Sequence, residues 1–479
     1  MSQYKPTIGI ECHVQLKTKT KLFAAVANDA REAPPNTLIS HICLGMPGAL
    51  PVLNEAAVKL AMKTAFALGT TPQIFSNFER KHYFYPDSPM GYQITQLKKP
   101  IIVGGYVEIH SDGQPKRIAI NRVQLEADAG KSTHPEGKDY SLVDLNRAGT
   151  PLLEIVSEPE IASSSEAKAY VRELYLLMRY ADVSDASLYY GNMRFDVNVS
   201  VSKDPRVFGT RTETKNLNSF KAVEKSIEYE IKRQVEVLEK GGKITQETMG
   251  WDDSKQKTFS QRTKEEAHDY RYFPDPDIPP IVLRKSDIDE IEKSMPLMPA
   301  AIRAKLRELK IDSSAVETII EEMPAAKLIL ECLNQKAKNE DVRKIALWLA
   351  GDVQSFVAKE EYTWEKIHLD ACQLLKLSKL TSDSKISSTG AKIVLISILK
   401  NGGDPEEIAT DLDVLQVSDE GEIEKIVAEI IKQNTKAAED LKNGETKAIG
   451  FLVGQVMKES KGKANPGLAQ RLIKKQLGL

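Results

Sequence analysis

Apolar and polar residues alternate through residues 8–16, IGIECHVQL. Ile8, Ile10, Cys12, Val14 and Leu16 fall on one side and Glu11, His13 and Gln15 on the other. A period of two predicts a strand with one buried face. The same period runs through MRFDVNVSVS (193–202), where Met193, Phe195, Val197, Val199 and Val201 oppose Arg194, Asp196, Asn198 and Ser200. After the turn-like KDPRVFG comes TRTETKN, which sets Arg211, Glu213 and Lys215 on one side. Together these segments predict an antiparallel hairpin with a long loop. Residues 118–128, 141–147 and 152–156 also read as strands.

Two helical stretches interrupt them. SSSEAKAYVRELYLLMRYA opens with Ser163 and Glu166 at capping-box spacing. In SFKAVEKSIEYEIKRQVEVLEKGG, the residues Phe220, Val223, Ile227, Ile231, Val235 and Leu238 form one stripe that stops at Gly241-Gly242. Strands and helices mix without regular βαβ alternation, so the predicted class is α+β with a largely antiparallel sheet. The proline-rich DYRYFPDPDIPP (269–280) suits a boundary. Beyond Met295 the period is helical, through AAIRAKLREL, AAKLILECLNQ and RKIALWLAGDVQSFV. A second seam falls at KNGGDPEE, followed by two more helices and a basic end. The expected domains are 1–293, 294–405 and 406–479.

Length and charge constrain this picture. A chain of 479 residues is too long for one core. With 66 basic and 68 acidic residues the net charge is −2, so a nucleic-acid partner would need a local basic patch. The end carries Lys458, Lys461, Lys463, Arg471, Lys474 and Lys475 against Glu459, which is either a solvated face or a phosphate-backbone contact. Four scattered cysteines form no CxxC pair. Few cysteines and no signal-like start predict a reducing, cytoplasmic location. No apolar run approaches the ~20 residues of a membrane span.

The polar strand faces carry the candidate chemistry. Glu11 and His13, Glu126 and Asp128, Arg194, Asp196 and Asn198, and Arg211, Glu213 and Lys215 are residue types that hold Mg²⁺ and clamp phosphate. On one sheet such acids repel severely unless cations compensate. A metal-phosphate site and a solvated surface are equally compatible with the pattern. AGKST (129–133) imitates the end of a P-loop, but position 125 is Leu where that motif needs Gly, so Walker-type ATP binding is rejected.

LVDLNRAGTPLLEIVSEP (142–159) resembles the signature of the B subunits of tRNA-dependent amidotransferases, through Asp144, Asn146, Arg147, Gly149, Pro151, Leu152 and Glu154. RKHYFYPDSPMGYQIT, GTRTETKNLNSF, EEAHDYRYFPDPDIPP and GFLVGQVMKESKGKANP are similar to further blocks of that family, in the same order, so the resemblance covers nearly the whole chain. It implies a glutamine synthetase-like, mostly antiparallel cradle followed by two all-helical domains. It implies ATP-dependent conversion of Asp-tRNA(Asn) or Glu-tRNA(Gln) to the amide form through a phosphorylated carboxylate. It also implies Glu11, His13, Glu126 and Glu213 at a Mg²⁺-centred catalytic site. Asp128, Asp196, Asn198, Arg147, Arg194, Arg211 and Lys215 would bind substrate or ATP, and the basic tail would bind tRNA. No amidase or Cys-His glutaminase pattern is present. The resemblance therefore implies an amidase-type glutaminase, the A subunit, as ammonia source and a small C subunit, in a heterotrimer. A non-catalytic tRNA-binding scaffold is the alternative.

Three departures from the family stand out. Only Cys43 remains where some relatives carry cysteine pairs, so no zinc is expected. YYGNM, with Tyr189 and Tyr190, replaces an acidic EGS. Phe195 stands where Cys is frequent.

Overall fold

A computed structural model describes residues 3–111, 113–204, 206–263, 270–359, 362–416, 420–460 and 464–479. The chain divides into two compact units, Met1–Met298 and Pro299–Leu479.

The first unit runs β1 (Lys5–Gln15), α1 (Glu55–Ala67), β2 (Phe75–Ser76), β3 (Glu79–His82), β4 (Tyr92–Thr95), β5 (Ile102–Val103), β6 (Tyr106–Ser111), β7 (Gln114–Ala127) and β8 (Lys131–Thr133). It continues β9 (Leu142–Asp144), β10 (Pro151–Ser157), α2 (Ser164–Tyr180), β11 (Met193–Ser202), β12 (Thr212–Leu217) and α3 (Phe220–Glu239). It closes with β13 (Glu247–Asp252), β14 (Lys257–Thr263), β15 (Phe273–Pro274), β16 (Ile281–Val282) and α4 (Lys285–Lys293). Nine strands form one sheet in the order β14-β13-β12-β11-β1-β10-β7-β5, with β6 paired to β7. β1 lies centrally, antiparallel to both β10 and β11. The sheet is mixed: β12 and β13 pair in parallel.

The period-two pattern of β1 decides the layering. Ile8, Ile10, Cys12, Val14 and Leu16 are fully buried, in one core with Phe195, Val197 and the α2 residues Tyr170 and Leu174. Helices α2 and α3 pack together on this apolar face. The polar face is left on the other side.

Local chemistry refines the expected helices. Ser163 caps α2 through the Glu166 N–H, but the Glu166 carboxylate accepts from the Ala162 N–H and from Lys116 rather than from Ser163, so the box is not reciprocal. In α3 the buried stripe runs through Ala222, Val223 and Ile227 and then turns polar, burying Glu230 and Gln234, while Val235 and Leu238 are half-buried. Glu230 accepts from the Thr212 and Thr258 hydroxyls at 2.7 and 3.2 Å and from Arg233, tying α3 to β12 and β14. Helices α1 and α4 escaped the sequence reading. The buried face of α1 is mostly alanine (Ala57, Ala61, Ala65, Ala67), which gives little apolar contrast.

The proline-rich stretch is not a free connector. Phe273–Pro274 pairs with β3, and Arg80 joins Asp275 and Asp277 at 2.8 and 2.7 Å. AGKST leads into strand β8, not into a helix, as rejection of a P-loop requires. Residues 264–269 lie outside the described residues, and with them the first five residues of the block EEAHDYRYFPDPDIPP.

The second unit is helical: α5 (Pro299–Glu308), α6 (Ser313–Glu321), α7 (Met323–Asn334), α8 (Asn339–Leu347), α9 (Gln354–Lys359), α10 (Ala371–Ser382), α11 (Ser388–Asn401) and α12 (Pro405–Asp411). Then come α13 (Glu420–Gln433), α14 (Thr435–Lys442), α15 (Lys447–Glu459) and α16 (Pro466–Leu477). The single helix expected over 343–357 is interrupted by a π-helical segment, Trp348–Val353. α13, α15 and α16 share a core that includes Ile423, Val427, Leu452, Val456, Leu472 and Ile473. More helices follow residue 405 than the two expected, and the basic end is itself helical in α16. No helix among the described residues is long and apolar enough to cross a membrane.

Candidate active site

Antiparallel register sets the polar residues of distant segments side by side. Glu11 on β1 stands opposite Asp196 on β11, and Asn198 on β11 stands opposite Glu213 on β12. Glu11, Asp196 and Glu213 bring carboxylate oxygens within 4.8 Å of one another. A bulge between Phe195 and Val197 and a positive φ of 58° at Asn216 let the Asn216 N–H reach Asp196 at 2.8 Å. The Lys215 ammonium lies 3.1 Å from Asp196 and 3.0 Å from Glu213. Asn198 donates to Glu11 at 3.2 Å, and the Thr248 hydroxyl to Glu213 at 3.4 Å. Burial pushes the Glu11 carboxyl up to about 7, and the neighbouring Glu154, Glu213 and Asp196 add to the shift. The Lys215 ammonium is raised: burial opposes its charge, but Asp196 and Glu213 outweigh burial.

A second group adjoins the first. The His13 Nε2 lies 3.6 Å from Glu126 and 3.8 Å from Glu154. Burial, helped by Arg194, lowers His13 to about 4, so its imidazole is neutral, and its Nδ1 is buried without a hydrogen-bond partner. Glu126 accepts from the Thr95 hydroxyl at 3.2 Å, and burial raises its pKa. Glu154 is opposite His13 in the register, bonds to Gln124, and is raised to about 7 by burial and by Glu126. Burial would lower Lys81, but Glu126, Tyr272 and Glu154 hold it above its usual value.

Glu154, Gln124 and Lys81 were missed as site residues. Glu154 was visible only as the lone acid of the apolar strand LLEIV and as a member of the family signature. Lys81 lay inside the family block RKHYFYPDSPMGYQIT and was not singled out.

The expected clamps are differently engaged. Arg147 and Arg194 both bind Asp128, the latter at 3.2 Å. Burial raises Asp128 even so. Arg211 precedes β12, is exposed, and lines a cavity of about 260 Å³ with Glu11 and Asn198. Of the four residues expected around a metal, Glu11 and Glu213 therefore join Asp196, while His13 and Glu126 join Glu154. Cys43 is buried, with its sulfur 3.6 Å from the Lys21 ammonium.

The tail residues belong to the second unit. Lys458 ends α15, and Arg471, Lys474 and Lys475 lie on α16, all exposed, with Lys475 3.4 Å from Glu424. Lys461 and Lys463 lie outside the described residues.

Can this face hold a cation? Three carboxylates share one centre, with the Lys215 ammonium beside two of them. Burial, reinforced by the surrounding acids, makes Glu11 resist ionisation. A hard divalent ion such as Mg²⁺ fits this donor set and would relieve the repulsion.

Comparison with known proteins returns a consistent picture. The family described as GatB/GatE catalytic domain matches residues 6–289, and that described as GatB domain matches residues 329–477. The chain is 42% identical over 485 residues to the B subunit of the aspartyl/glutamyl-tRNA(Asn/Gln) amidotransferase of Carboxydothermus hydrogenoformans, covering 100% of this chain and 99% of that one. It is 44% identical to the protein of the same name from Caldanaerobacter subterraneus subsp. tengcongensis, with 99% of each covered. It is 43% identical to that of Persephonella marina, covering 99% of this chain and all of the relative.

Proposed function

Because the chain belongs to the family of B subunits of aspartyl/glutamyl-tRNA(Asn/Gln) amidotransferases, we propose that its polar sheet face is where the aminoacyl carboxylate is activated. The chain is a component of a ligase-type amidotransferase that converts Asp-tRNA(Asn) or Glu-tRNA(Gln) to the amide form. The observation that carries the site assignment is the convergence of Glu11, Asp196 and Glu213 within 4.8 Å.

On this reading the cofactors are ATP and Mg²⁺. Glu11, Asp196 and Glu213 would hold the ion, with His13, Glu126 and Glu154 completing the acidic wall. When bound, Mg²⁺ neutralises phosphate charge as the γ-phosphoryl passes to the carboxylate. The protein's own groups do the rest. Lys215 balances the ligand carboxylates and offers a phosphate contact. Arg211 stands at the adjoining cavity. Arg147 and Arg194, oriented by Asp128, face the substrate carboxylate. Glu154, raised to about 7, can accept a proton from incoming ammonia, while His13, held neutral by burial, stays unprotonated beside it.

Ammonia is assigned to a partner glutaminase, the amidase-type A subunit, with a small C subunit completing the heterotrimer. The three sequence-defined parts, 1–293, 294–405 and 406–479, would serve catalysis, connection and tRNA binding, and the enzyme would work in the cytoplasm. The test is Glu126→Gln: ATP-dependent amide formation should disappear while tRNA affinity is kept. Unchanged activity refutes the site assignment, and amide formation that never requires this face would favour a scaffold.

A further inference from the structure

The turn that carries Arg147 is bonded on both sides of that residue to the loop that follows β1. Before it, the Leu145 N–H donates to the Asn36 side-chain oxygen at 2.8 Å, and the Asn36 side-chain N–H donates to the Val143 carbonyl at 2.9 Å. Asn146 is buried and spans the join. Its side-chain N–H donates to the Pro34 carbonyl at 2.7 Å, and its side-chain oxygen accepts from the Leu38 N–H at 2.8 Å. After it, the Gly149 carbonyl accepts from the Leu22 N–H at 2.9 Å, and the Gly149 N–H donates to the Asp128 carbonyl at 2.9 Å. Asp128 is the residue whose carboxylate holds the Arg147 guanidinium.

Lys21 lies inside this join and is 1% exposed. Its ammonium donates to the Leu38 carbonyl at 2.7 Å and to the Leu145 carbonyl at 3.4 Å, one on each side, and lies 3.6 Å from the Cys43 sulfur. Its stem passes Gly149, where a Cβ would stand 3.6 Å from the Lys21 Cδ. Burial works against the ammonium, and Cys43 and Asp144 partly offset it. Burying a charge is costly, and an apolar side chain would fill the same space without that cost. What the ammonium adds is three donors, which reach both strands of the join at once.

We propose that Lys21 is a positioning residue for amide formation: it locks the loop around Leu38 against the turn at Leu145 to Gly149 and so fixes the guanidinium of Arg147 at the carboxylate face. Lys21 itself touches neither substrate nor metal. The inference rests on the role given to Arg147 above. A guanidinium that orients a reacting carboxylate acts through geometry, and a misplacement of about 1 Å can cost up to about 100-fold in rate.

The test is a double-mutant cycle in the assembled enzyme, read as kcat and KM for amide formation on charged tRNA. Lys21→Met keeps the stem and removes the donors. It should lower kcat about 30-fold and leave KM for MgATP within about twofold. Asn36 is exposed at a φ of 60°, which glycine adopts freely, so Asn36→Gly keeps the fold and removes two bonds of the join. It should lower kcat about fivefold. Each variant combined with Arg147→Met should be no slower than Arg147→Met alone, because both act through one guanidinium. Losses that multiply in the double variants overturn the proposal, as does native kcat in Lys21→Met. If Lys21→Met does not fold, the Asn36→Gly cycle decides alone, and native kcat there overturns the proposal. Native kcat in Arg147→Met refutes the role of the arginine and the proposal with it. Multiplied losses beside an impaired Arg147→Met refute the positioning alone and leave the carboxylate-face reading standing.

Discussion

At the scale of single residues, the site is defined by acids that resist ionisation. Glu11 and Glu154 are both raised to about 7 by burial and by the acids around them. A carboxyl whose folded pKa exceeds its unfolded value binds more protons in the native state. Stability of the metal-free protein should therefore fall as pH rises from about 4.5 to about 7, the reverse of the usual paired carboxylate. Thermal unfolding without Mg²⁺ should show a lower Tm at pH 7.5 than at pH 5.5, and Mg²⁺ should recover the loss at pH 7.5. A flat profile would mean these carboxylates do not share a crowded site. Metal binding requires the ionised form, so Mg²⁺ affinity should drop by up to about tenfold per pH unit below 7. Lys215→Met removes the ammonium between Asp196 and Glu213. It should cost about 1–2 kcal/mol of metal-free stability, below the range for a fully buried pair because Lys215 is 37% exposed. In that variant Mg²⁺ should restore more Tm than it does in native protein.

At the scale of elements, the period-two strands were legible and their neighbours were not. Alternation in 8–16 and 193–202 identified both faces, and Cys12 and Phe195 are buried where the pattern put them. Nothing in the sequence says that β1 pairs with β10 and β11, so the meeting of His13 with Glu154 and of Glu11 with Asp196 awaited the register. The α3 stripe misled beyond Ile227 because a polar hub replaces apolar packing there. Glu230 joins the helix to two strands through threonine hydroxyls, a bond set that no apolar period encodes. Glu230→Ala should therefore destabilise the first unit by about 3 kcal/mol, since it strands buried hydroxyls and leaves Arg233 with the more distant Glu247 at 3.8 Å. Urea denaturation measures it, and a loss under about 1 kcal/mol would deny the hub.

At the scale of the whole molecule, a nearly neutral chain must take its nucleic-acid affinity from local charge. Lys458, Arg471, Lys474 and Lys475 are exposed on α15 and α16, opposite an apolar core, and on the proposed reading they supply that charge. Reversing all four to Glu should weaken tRNA binding and flatten its salt dependence, each lost phosphate contact reducing the slope by roughly 0.7–0.9. An unchanged slope would remove the tail from the tRNA interface. The central claim is that the Glu11–Asp196–Glu213 centre activates the aminoacyl carboxylate. Its most direct measurement is ADP released per charged tRNA, with ammonium chloride replacing glutamine as nitrogen donor, for native protein and Glu213→Gln in the assembled enzyme. The account predicts a loss of at least about 100-fold, the scale of removing one transition-state electrostatic contact, with tRNA affinity within about twofold. ADP release at the native rate in Glu213→Gln would contradict it.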